Sequence, residues 1–118
     1  MRDMTPMSPK QQPSLRRSDP VPTAFAHEVR KRLGTHLKEL RLFGSRARGD
    51  ARNHSDYDML VIVDSRSPEI RATILDVEVE LIDRYEALVT SIVRTEEEWK
   101  QRQGSPLALN IEREGRLL

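Results

Sequence analysis

The chain contains no cysteine, so it can build neither a disulfide framework nor a thiolate zinc site, as suits a reducing compartment. It also lacks any long apolar run. The longest, Met59 to Val63, is far shorter than a signal-peptide core or a membrane span. The expected compartment is therefore the cytoplasm, with no membrane partner. Charge of one sign is missing too: 20 basic against 19 acidic residues leave a formal +1. No global field draws nucleic acid or an anionic membrane, so nucleic acid is not an expected partner and any phosphate affinity must be local. Aromatics make up only 4% of the residues, which predicts an aliphatic core.

What the chain does have, at 118 residues with 36% hydrophobic and 33% charged, suits one small domain of mixed α/β (α+β) type. There is little room for a separate substrate domain. Residues 1–22 carry Pro6, Pro9, Pro13, Pro20 and Pro22 among Ser, Gln and Arg, without apolar periodicity. They read as a disordered leader, with the domain spanning 23–118.

From Ala24 the steps Phe25, Val29, Leu33, Leu37 predict a helix capped by Thr23. Alternation over 39–43 predicts a short strand that Gly44 punctuates, and 57–64 is a strand apolar enough to be buried on both faces. Ser67-Pro68-Glu69 opens a helix that should run to about Arg84. The stretch 76–81, DVEVEL, also alternates like a strand; the strong helix start and a further strand at 87–93 favour helix. Thr95 and Glu98 have capping-box spacing for a helix over 96–103, and Ser105-Pro106 starts a last helix ending near Gly115. The expected fold is a small mixed sheet flanked by helices.

One stretch carries the chemistry: FGSRARGDARNHSDYDMLVIVD, residues 43–64. Side chains two apart on a strand share a face, so Asp56 and Asp58 project together while Tyr57 points away. At about 3.3 Å rise per residue their Cα atoms lie roughly 6.6 Å apart. Two carboxylates so placed can hold one Mg²⁺ or share a pair of ions about 3.5–4 Å apart. Gly44 and Ser45 sit where a strand hands over to a helical turn, which offers backbone N–H groups to a phosphate. Arg46 and Arg48 can add charge-assisted contacts. Each could equally form a surface ion pair, Arg48 with Asp50 for example. His54 adjoins the site but is read as solvated. Thr90 and Ser91 could bond a ligand if their strand borders the cleft, and Trp99 is read as a core or partner-facing anchor.

GSRARGD followed by SDYD and an aliphatic strand resembles the signature of the polymerase-beta-like nucleotidyltransferase superfamily, in particular its minimal bacterial members. The motif covers Gly44 to Val63, and the resemblance extends loosely over 24–115. It implies that Gly44 and Ser45 hold the triphosphate of ATP or another NTP and that Asp56 and Asp58 bind two Mg²⁺. It implies transfer of a nucleoside monophosphate to an acceptor hydroxyl. Minimal members are often paired with a helical HEPN-type toxin, so a partner of that kind or a homo-oligomer is expected. The alternative is a catalytically impaired nucleotide-binding or partner-binding module that acts as an antitoxin by binding. It rests on one departure: the superfamily usually supplies a third carboxylate from a later strand, and here that strand, ALVTSIV, has no acid. Glu86 at its entrance is the nearest catalytic candidate, ahead of Asp83; Glu78 or Glu80 would serve only if DVEVEL were the strand.

Overall fold

The computed structural model describes residues 19–50 and 55–118. Helix α1, Pro20–Leu33, leads through a 3₁₀ turn, Gly34–His36, into strand β1, Leu37–Phe43. A one-turn helix α2, Ser45–Arg48, precedes strand β2, Tyr57–Val63. Helix α3, Pro68–Tyr85, then delivers the chain to strand β3, Val89–Thr95. Helices α4, Glu96–Gln101, and α5, Pro106–Glu114, are followed by a two-residue strand β4, Arg116–Leu117. The sheet order is β3-β2-β1-β4. β1 runs antiparallel to β2 and β4, whereas β2 and β3 are parallel and need α3 as their crossover.

Alternation along β2 assigns the two faces. Tyr57, Met59, Val61 and Val63 pack with Phe25 and Val29 of α1 and with Ile74, Val77 and Leu81 of α3. Leu60 and Ile62 pack on the other side with Ile111, Phe43, Ile92 and Trp99. β2 is covered on both faces, which is why it carries an unbroken aliphatic run. Trp99, half-buried, packs against the second cluster.

The helix starts follow local chemistry. Ser67 Oγ accepts from the Ile70 amide at 3.1 Å, a cap worth about 1 kcal/mol. Thr95 and Glu98 form a reciprocal capping box. DVEVEL is helical: Val77 and Leu81 face the core, and Glu80 pairs with Arg32 of α1 at 2.7 Å on the surface. Helix periodicity therefore prevails over the two-residue alternation.

Several expectations shift: Leu37, counted in the first helix, opens β1, and α4 stops at Gln101 rather than 103. α1 begins at Pro20 rather than after Thr23, because Asp19 is the N-cap, accepting from the Val21 amide at 3.0 Å. Prolines in a first turn cost no hydrogen bond, and Val21 is buried. Residues 20–22, expected in the leader, are thus helical; the leader expected over 1–18 lies outside the described residues. β3 runs from Val89 to Thr95 rather than 87–93, since α3 ends at Tyr85 with Glu86 as its cap and Ala87 plugs into the core. The short β4, which was not expected, pairs Arg116 and Leu117 with Leu42 and Arg41.

Candidate active site

The sheet brings the glycine turn and the aspartate strand together edge to edge. Phe43 is the partner of Asp58 in the β1–β2 ladder, so Gly44, one residue on, comes against the Asp58 side chain. A β-carbon on Gly44 would lie 2.4 Å from Asp58 Oδ2, and its φ of 77° favours glycine independently. The turn then closes tightly: the amides of Ala47 and Arg48 both donate to Gly44 O, at 3.0 and 3.1 Å. The Ser45 amide precedes this pairing at the open start of the turn. Gly49, at φ 86°, ends the turn in the left-handed region.

Asp58 is half-buried. Burial first, and then the neighbouring Asp56 carboxylate, push its carboxyl above the usual aspartate range, with Arg48 pulling the other way. Two acids crowded in this way are relieved by a cation more readily than by water. Their hard oxygens against a turn that only glycine permits fit a magnesium ion that keeps most of its ligands from water and phosphate.

The two arginines have separate fates. Arg48 lies on the Asp58 side, where its guanidinium pairs with Asp50 at 3.2 Å and with Glu114 of α5 at 3.1 Å. Arg46 turns to the opposite face, over the Tyr57 ring at 4.3 Å from its centroid. Its Nε and Nη2 donate to Ser55 O at 3.1 and 2.9 Å. The Tyr57 hydroxyl in turn donates to Asp19 at 2.6 Å. Burial and that bond push the phenol up to about 12, so it stays a neutral donor. Asp19, Tyr57 and Arg46 therefore brace the backbone entering Asp56, a support that the sequence reading missed. The two-residue alternation that turns Tyr57 away from Asp58 was the available signal.

On the other flank of β2, Asp58 is registered with Thr90 and Met59 with Ser91. Thr90 is exposed on the Asp58 side, whereas Ser91 turns to the α1–α3 face between Val89 and Val93, so it does not border the cleft. Glu86 is exposed and caps α3 in the left-handed region at φ 54°. It is not gathered with the aspartates: among the described residues no three His, Cys, Asp or Glu side chains form a metal-binding group. Glu78 and Glu80 lie on α3 rather than on a strand, so the condition for their role is not met, and Asp83 lies in the last turn of the same helix. His54 lies outside the described residues. Among them, too, no helix is long and apolar enough to cross a membrane.

A small mixed sheet with a glycine-serine turn against Asp58 of β2, and Asp56 just before that strand, is the arrangement of a nucleotidyltransferase-type protein. The chain belongs to the nucleotidyltransferase domain family, whose model matches residues 24–116. A candidate protein adenylyltransferase of Methanocaldococcus jannaschii is 29% identical over 94 residues, 80% of this chain and 90% of that protein. Solved structures share the fold. A candidate nucleotidyltransferase from Sulfolobus solfataricus has a TM-score of 0.54 and 24% identity, covering 83% of this chain and 76% of its own. A toxin–antitoxin complex with AMP-PNP has a TM-score of 0.55 and 19% identity, covering 79% and 68%.

Proposed function

We propose that this nucleotidyltransferase domain transfers a nucleoside monophosphate, from ATP in the first instance, to a hydroxyl on a partner protein, with Mg²⁺. The observation that carries this reading is the contact of the Gly44 turn with Asp58: a phosphate held at the turn lies beside the carboxylate pair. Gly44 and the Ser45 amide and hydroxyl would receive the triphosphate, and Asp56 and Asp58 would hold the cation that accompanies it. Magnesium, when bound, supplies charge neutralisation for the phosphates. The protein's own part is positional. It aligns an acceptor oxygen to form a bond with the α-phosphorus as the bond to pyrophosphate breaks, and it fixes donors before charge develops. Arg48 can exchange a carboxylate partner for a phosphate oxygen.

The adenylyltransferase relative and the AMP-PNP-bound toxin–antitoxin neighbour favour ATP as donor and a protein as acceptor. A helical HEPN-type toxin is the acceptor we favour, with a homo-oligomer as the other assembly. The reading is tested by incubating the protein with Mg²⁺, labelled ATP and such a partner. Covalent label on the partner, lost in Asp56→Asn/Asp58→Asn, is the expected result. Label that persists in the double variant would reject the site.

One observation favours a second reading, an antitoxin acting by binding alone. Thr90 occupies the β3 position beside Asp58, where a third acid would otherwise complete the ligand set. Magnesium-dependent ATP binding without label on any acceptor would select it.

A further inference from the structure

The outer face of α3 is apolar where a lone domain has no use for it. Ile70, Ile74, Val77 and Leu81 face the core, yet Leu75, Val79 and Ile82 are 56%, 48% and 43% exposed. With Ala72 they are spaced three, four and three residues apart, the a/d seam of a helix that meets another helix. One exposed leucine is ordinary, but three large side chains on one such seam mark a contact surface. Helix formation does not explain them, since valine and isoleucine are poorer helix formers than glutamate or lysine at a solvated position.

The flanks indicate what covers this seam. Glu69, Asp76 and Asp83 follow one another at seven-residue intervals along one side, all exposed and in no ion pair recorded among the described residues. The other side carries Glu78 and one base, Arg71. Two copies of α3 packed seam to seam would bring together four acids and one base from each, an unfavourable pairing across an apolar contact. An acidic flank likewise repels an anionic lipid surface.

We propose that the α3 seam docks an amphipathic helix of a different protein, apolar at a and d and basic on the flank that meets Glu69, Asp76 and Asp83. The surface lies on the outer side of a helix whose inner side packs against the sheet, so it is separate from the carboxylate site and does not depend on the nucleotide reading.

The test uses the full chain and two synthetic helices of about three heptads with leucine at a and d, one with lysine and the other with glutamate at the flanking positions. Titration by fluorescence anisotropy should show binding of the lysine helix and at least tenfold weaker binding of the glutamate helix. Val79→Lys should weaken the lysine helix at least tenfold, while its circular dichroism and its nucleotide binding match the parent. Asp76→Lys with Asp83→Lys should reverse the preference between the two helices. Equal affinity for both helices, no binding of either, or a dimer of this chain that Val79→Lys dissolves would each overturn the proposal.

Discussion

Gly44 and Asp58 are in contact through space in a way that leaves no volume for a side chain: a Cβ on the glycine would stand 2.4 Å from the Asp58 Oδ2 oxygen. The turn and the carboxylate are therefore one unit, and changes at either should be felt at both.

Gly44→Ala should destabilise the fold by about 1–3 kcal/mol, from the positive φ and the collision together. It should also abolish magnesium-ATP binding. Urea denaturation and a nucleotide titration measure the two effects, and a variant of parental stability that still binds ATP would contradict the contact.

Asp58→Asn should separate stability from function. The folded chain retains a proton on Asp58 above the ordinary aspartate range, where the unfolded chain has released it. Stability linked to this group is therefore full below that range and is lost as pH rises through the folded-state value. Removing the charge should raise the neutral-pH melting temperature by a few degrees and flatten its pH dependence just above the aspartate range, while nucleotide binding is lost. A drop in melting temperature at neutral pH would count against this account.

Thr90→Asp would set a third carboxylate beside Asp58. Without cation the crowding should lower the melting temperature; with ATP and Mn²⁺ as a spectroscopic probe, bound cation should rise from about one to about two per site, the number a two-metal centre holds. Label transfer should increase as well. An unchanged cation count would show that Thr90 does not occupy the missing ligand position.

Arg46→Ala removes two hydrogen bonds to Ser55 O and the stack on Tyr57. The expected loss is about 1.5–3 kcal/mol, a charged donor leaving its acceptor. Lysine should restore little, because it lacks the planar fork. If Arg46→Ala leaves stability untouched and weakens only nucleotide binding, Arg46 serves the phosphate rather than the backbone.

Much of the fold was legible because its signals are local. Ser67-Pro68, Thr95 with Glu98 and Ser105-Pro106 each start a helix where spacing predicts one, since a cap needs only its own turn. Asp19 was missed because its claim to the α1 cap rests on Pro20 and Pro22, residues that also suit a tail. β4 was missed because two residues hold no period; they are a strand only through the edge of β1. Arg46 and Arg48 look alike in sequence, and only the turn of α2 sends one toward Tyr57 and the other toward Glu114.

By itself the sequence determined most of the elements and the glycine turn beside the aspartate pair, because propensity, capping and strand alternation act over a few neighbouring residues. The tertiary structure decided what those pieces meet. Antiparallel register set Gly44 against Asp58, parallel register put Thr90 at the flank of Asp58, and packing left Leu75, Val79 and Ile82 outside. These contacts join residues far apart in the chain, and no local period encodes them.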